Sequence, residues 1–250
     1  MVEQLHNFSI NLDKKWEEKM LLVKKLSKEF TIHTRRSVKI VSFENISFQV
    51  EKGSLLAITG PSGIGKSSLL KCIYRTYLPT SGEIIYKDKH NQIVDIVNSD
   101  DRKIIELRKS EISYVSQFLH VLPRVSALDL LVEPLISKGA DYLESENRAK
   151  ELLSYVGIGE QLWNMYPSTF SGGEKQRLNI LKAIITKPRF LLLDEPTASL
   201  DLGYKNKVME LINDLKKTGT AMVGVFHDRD AITALSDKRY DLEHKVYYNI

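Results

Sequence analysis

The sequence predicts an α/β fold, from three observations: short apolar runs of strand character alternate with amphipathic helical stretches, a glycine-rich turn joins one strand directly to a helix, and a long helical region interrupts the alternation. Alternating strands and helices argue for a largely parallel sheet, and the interruption for a helical lobe inserted into it. With 250 residues, 42% of them hydrophobic, the chain can bury one substantial core, or a core plus a smaller lobe, without disulfides or metals.

Residues 1–20 are polar and charged around Phe8, Ile10, Leu12 and Trp16 without a clear period, and read as an appended arm ahead of a domain at 21–250. Apolar runs at 21–26, 38–43, 46–50 and 54–59, each bounded by charge, glycine or turn residues, read as strands. The last feeds the glycine-rich turn, after which Ser67 to Tyr77 has helical composition and stops where Pro79 and Gly82 mark a break. A second β stretch covers about 83–97, and a helical lobe spans about 118–185, in which Leu143, Ala149, Leu152, Leu153 and Val156 are expected largely on one face. The alternation then resumes: a strand at 190–194, a helix with Val208, Leu211, Ile212 and Leu215 at i, i+3, i+4, i+7, a strand at 220–226, and a last strand in the Val-Tyr-Tyr-Asn-Ile tail.

Composition narrows the function. Thirty-six basic against 32 acidic residues leave a net charge of +4, too small and scattered to imply nucleic acid. No apolar stretch is long enough to span a bilayer and the N-terminus lacks a signal-peptide core, so a cytoplasmic protein is expected. A single cysteine, Cys72, excludes an internal disulfide framework, and its helical position beside Ile73 reads as a small core hydrophobe.

Three motifs carry chemistry. Gly60, Pro61, Ser62, Gly63, Ile64, Gly65, Lys66 and Ser67 fit the phosphate-loop pattern, in which glycines let backbone N–H groups curl around phosphates at a helix N-terminus, a lysine adds a point charge and a hydroxyl serves a magnesium ion. The apolar run 190–193 ends in Asp194 and Glu195, at the carboxyl end of a strand, where open α/β sheets place ligand groups. Adjacent strand residues point to opposite sides, so the two acids divide the work: Asp194 for the metal, Glu195 to orient an attacking water. Ser171 in N-cap position with Glu174 three residues on opens a third element, a capped helix whose glycines Gly172 and Gly173 leave N–H groups free for an anion.

In this order, with Gln117, the run Phe170 to Arg177, Ser199-Leu200-Asp201 and His227 between and after them, the sequence resembles the nucleotide-binding subunits of the ABC superfamily over about residues 21–230. The resemblance implies the ABC ATPase (P-loop NTPase) fold: a RecA-like mixed sheet core, an antiparallel β subdomain and an inserted helical subdomain. It implies ATP and Mg2+ as cofactors and a head-to-tail dimer with itself or another ABC subunit, in which Ser171, Gly172 and Gly173 act in trans. It further implies that Gln117 senses the metal and γ-phosphate, His227 grips the γ-phosphate, Phe30 stacks on adenine, and Asp201 and Ser68 belong to the nucleotide site. Lys66, Glu195 and His227 are the expected catalytic residues, and Ser67, Gln117 and Asp194 the expected metal site. Phe170, Glu174, Phe30 and Ser68 depart from the commoner residues of the family without removing a phosphate-binding group.

The stretches 77–84, 116–128, 166–174 and 224–228 resemble the ATP-binding proteins of the bacterial carbon–phosphorus lyase system. That implies soluble lyase core subunits as partners in phosphonate metabolism; an apolar patch of Phe118, Leu119, Val121 and Leu122 would serve these or a membrane partner equally. The competing expectation is an ABC transporter subunit of the lipoprotein or macrolide exporter type, in which the same lobe docks a membrane permease. A non-hydrolysing scaffold is a third, disfavoured by the presence of both Glu195 and His227.

Overall fold

The computed structural model describes residues 18–32, 38–117, 119 and 124–249. Two sheets organise it. The first is antiparallel, in the order β2-β1-β4-β5, built from β1 (Lys19–Ile32), β2 (Val38–Glu51), β4 (Ser81–Lys87) and β5 (Ile93–Asp95). The second has the order β10-β9-β3-β8-β7-β6: β3 (Leu55–Thr59), β6 (Ile112–Val115), β7 (Phe190–Asp194), β8 (Ala221–Val225) and β9 (Lys238–Asp241) run parallel, and β10 (Val246–Asn249) is antiparallel on the edge. The central strands β7 and β8 are buried along their whole length, as strands covered on both faces must be.

Helices α1 (Lys66–Ile73), α2 (Asp101–Ser110), α7 (Leu202–Lys217) and α8 (Arg229–Leu235) cross between strands, and α3 (Ala127–Ile136), α4 (Tyr142–Tyr155), α5 (Glu160–Trp163) and α6 (Gly172–Ile184) form the inserted lobe. The α/β class, the mixed sheet, the antiparallel sheet and the helical insertion agree with the sequence expectation. Alternate residues of β7 serve two cores: Leu191 and Leu193 join the cluster holding the lobe's Leu131, Leu153 and Leu178, while Phe190 and Leu192 join the cluster under the antiparallel sheet.

Several expectations are corrected. The strands expected at 38–43 and 46–50 are one strand with an irregularity, because Asn45 adopts φ +54 and the register with β1 slips there without ending the ladder. The helix after the glycine turn ends at Ile73 rather than Tyr77, with Arg75 at φ +65 turning the chain away. Leu143 is 63% exposed: it lies six residues before Ala149, which carries it about 240° around the helix, away from the buried face of Ala149, Leu152 and Leu153. The arm expected at 1–20 already contributes Lys19 and Met20 to β1, and Phe8, Ile10, Leu12 and Trp16 lie outside the described residues. The expected last strand is β10.

Candidate functional site

The sheet's carboxyl edge gathers the motifs. Strand β3, with Leu55 to Ile58 fully or almost fully buried, delivers the chain into residues 60–65, and α1 begins at Lys66. Gly65 caps that helix at φ +99, and a side chain there would meet the Ser42 backbone oxygen at 2.5 Å, so the turn requires glycine both for its dihedral and for its approach to β2. Lys66 is 6% exposed, and its ammonium donates to the carbonyls of Gly60 and Pro61, both at 2.8 Å, closing the loop on itself. Burial lowers its pKa, against the opposing pull of the Glu195 and Asp194 carboxylates.

Asp194, the last residue of β7, is 3% exposed. Its two oxygens are both engaged: the Ser67 hydroxyl donates to Oδ1 at 2.8 Å and the Tyr114 phenol to Oδ2 at 2.8 Å. Glu195 turns away as the sequence requires. Its amide continues the β7–β8 pairing by donating to the Val225 carbonyl at 3.0 Å, its φ is +52, and its Oε1 lies 2.8 Å from His227 Nε2. The adjacent carboxylates are therefore separated into one that meets the phosphate-loop serine and one that meets the histidine. A non-glycine residue in the left-handed region is strained, and such strain gathers at functional positions.

Gln117 is exposed and lines a cavity of about 570 Å³ with Ser67, Tyr114 and Asp194. Hydroxyl, carboxylate and amide oxygens are the donors a small hard cation prefers, so Ser67, Asp194 and Gln117 fit Mg2+. Phe30 is half-buried, edge-on to Tyr77 with centroids 5.3 Å apart and with the Lys28 ammonium 4.6 Å from its centroid. Ser68 follows in the first turn of α1.

The expected capping box is present: the Glu174 amide donates to Ser171 Oγ at 3.3 Å, and the Ser171 amide donates to Glu174 Oε2 at 2.8 Å. The bonds that the Ser171 amide and hydroxyl donate to its carboxylate hold Glu174 below its ordinary pKa. Ser171, Gly172 and Gly173 do not line the cavity beside the phosphate loop; Gly173 faces the Ser199 carbonyl instead. Asp201 caps α7, accepting from the amides of Gly203 and Tyr204 at 3.1 and 3.2 Å.

Sequence reasoning missed the residues that join these parts. Gln176 donates to the Pro196 carbonyl at 3.2 Å and Asn179 to the Ser116 carbonyl at 2.7 Å, tying α6 to the loop after Glu195 and to the residue between β6 and Gln117. The Arg177 guanidinium lies 3.8 Å from the Tyr204 ring centroid, and Lys205 is ion-paired with Asp228, next to His227. Tyr114 was missed because β6 is short and carries no motif of its own. Of the expected apolar patch, Leu119 packs partly buried against the lobe core, and Phe118, Val121 and Leu122 lie outside the described residues. Among the described residues no helix is long and apolar enough to cross a membrane.

Residues 43–198 match the family model described as ABC transporter. An uncharacterised ABC transporter ATP-binding protein of Thermotoga maritima is 34% identical over 213 residues, covering 85% of this chain and 88% of its own. The glutamine transport ATP-binding protein GlnQ of Escherichia coli is 38% identical over 186 residues, 74% of each chain. Among solved structures, a dimeric ATP-binding cassette in a post-hydrolysis state bound to ADP and Pi superposes with a TM-score of 0.81 at 27% identity, covering 92% of this chain and 98% of that one.

Proposed function

This chain belongs to the ABC transporter family, and from that premise we propose that it is an Mg2+-dependent ATPase whose turnover in a head-to-tail dimer drives a partner protein on the cytoplasmic face of a membrane. The observation that carries the reading is the division of two adjacent carboxylates, Asp194 bonded to Ser67 and Glu195 bonded to His227.

In this reading the backbone of residues 60–67 and the Lys66 ammonium hold the ATP phosphates at the N-terminus of α1. Ser67, Asp194 and Gln117 hold the cation, which supplies neutralisation of the phosphate charge. Glu195 accepts a hydrogen bond from the attacking water, His227 keeps Glu195 in place and reaches the γ-phosphate, and Phe30 stacks on the base. Ser171, Gly172 and Gly173 stand free of the chain's own phosphate-loop cavity, which supports their use by a second chain, with Asp201 at the same interface. The relatives' description as transporter ATP-binding proteins supports a membrane permease as the partner.

A second reading assigns the same ATPase to the carbon–phosphorus lyase system, with soluble lyase subunits as partners. It rests on the stretches 77–84, 116–128, 166–174 and 224–228.

Glu195→Gln tests the chemistry. It removes the carboxylate while keeping the side chain's shape, and steady-state ATPase should fall by about 10²-fold or more, with ATP-bound dimer accumulating on size exclusion. Unchanged turnover would remove Glu195 from the reaction. Affinity capture from cells starved of phosphate and fed a phosphonate separates the partners: a detergent-extracted permease supports the first reading, soluble lyase subunits the second.

A further inference from the structure

We infer that Tyr114 is a positioning residue that holds the carboxylate of Asp194 in the orientation its cation requires; this rests on the reading of Asp194 as a cation-holding group. Tyr114 lies in β6, immediately beside β7 in parallel register, with Tyr114 opposite Leu192 and Val115 opposite Leu193. That offset lets a long side chain from β6 reach forward to the end of β7, where its phenol meets Asp194 Oδ2 at 2.8 Å.

The ring is fixed. It packs against Tyr74 with centroids 5.2 Å apart, and the Tyr74 ring has the Arg108 guanidinium 4.4 Å from its centroid, while Arg108 also donates to the Tyr74 carbonyl. The Tyr114 hydroxyl is therefore delivered by a packed column from α1 and α2.

With Ser67 donating to Oδ1 and Tyr114 to Oδ2, rotation of the carboxylate about its last bond breaks a hydrogen bond on either side. Both donors are neutral, so Asp194 is oriented without losing its charge; a lysine or arginine in the place of Tyr114 would orient it and cancel the attraction for a cation. Each carboxylate oxygen keeps a further lone pair for water or a metal. Groups that orient a metal-binding side chain from behind typically contribute 10–100-fold to metal affinity.

The test removes one oxygen. Tyr114→Phe keeps the ring packing, so its melting temperature should stay within a few degrees of the parent. The affinity of the protein for Mn2+ in the presence of a non-hydrolysable ATP analogue, measured by electron paramagnetic resonance, should fall by about tenfold or more. Affinity for a fluorescent ATP analogue in EDTA should be unchanged. Incorporating para-aminophenylalanine at position 114, which restores a donor, should recover Mn2+ affinity. Asp194→Asn is the control: if it leaves Mn2+ affinity intact, the reading of Asp194 fails. If Asp194→Asn weakens Mn2+ and Tyr114→Phe does not, or if Tyr114→Phe weakens metal-free nucleotide binding equally, the positioning role of Tyr114 is overturned.

Discussion

At the scale of single residues the site depends on a few positions whose backbone leaves no alternative. Gly65 is the sharpest case, because a side chain would meet both an unfavourable φ of +99 and the Ser42 oxygen at 2.5 Å. Gly65→Ala is therefore expected to displace the phosphate loop from β2 and to lower stability by about 1–3 kcal/mol through backbone strain. Nucleotide affinity should fall with it, as titration calorimetry would measure. If ATP affinity and urea midpoint both remain at parental values, the close approach of Gly65 to β2 is not needed. Cys72, by contrast, does the modest job its sequence context suggests: it is fully buried and burial pushes its thiol up to about 11, so it packs as a small apolar side chain.

At the scale of elements, α6 shows how local sequence dictates a helix start. Ser171 and Glu174 satisfy each other's backbone amides, and Glu174 gains because its carboxylate accepts from both the amide and the hydroxyl of Ser171. Its pKa is held below the ordinary value in the folded chain. The sign follows: the stabilisation is complete above the unfolded carboxylate pKa near about 4.3 and is lost as pH falls through the lowered folded value. Glu174→Ala should thus cost about 0.3–1.5 kcal/mol at pH 7, and the difference from the parent should narrow in acid, as urea titrations at several pH values would register. A gap that stays constant down to the acid limit would mean that the carboxylate's charge contributes nothing. This helix was legible because capping is written in adjacent residues. So were the phosphate loop, β7 and β8, where one motif or one apolar run suffices. Helix α2, β6 and α8 were not: Asp101–Ser110 is mostly charged and buries only Ile104 and Leu107, and β6 is four residues long. For the same reason the bonds of Tyr114, Asn179 and Lys205 escaped prediction, since each depends on which strands and helices become neighbours rather than on spacing along the chain.

At the scale of the molecule, the lobe and the sheet domain share one core. Leu131 and Leu153 of the lobe are fully buried in the same cluster as Leu191 and Leu193 of β7 and Val208 of α7. Tyr204 adds to the junction: it fits against Gly157, where a side chain would come within 2.3 Å of the ring, and it stacks under Arg177. A lobe with its own sealed core would melt separately; one that completes its core on the sheet cannot leave without exposing β7. Leu153→Ala, which opens a cavity in the lobe, should therefore cost about 2–5 kcal/mol and lower the melting temperature of the whole chain, at about 2–4 °C per kcal/mol for a protein of this size. Scanning calorimetry should show one transition moved down intact. If the variant instead gives two transitions, with only the lower one displaced from the parental position, the lobe folds as an independent unit and the shared cluster does not bind it to the sheet. A single displaced transition would mean that the helix carrying Gly172 and Gly173 is held to the strand carrying Asp194 by the same apolar contacts that stabilise the fold, so that a change at either is felt at the other.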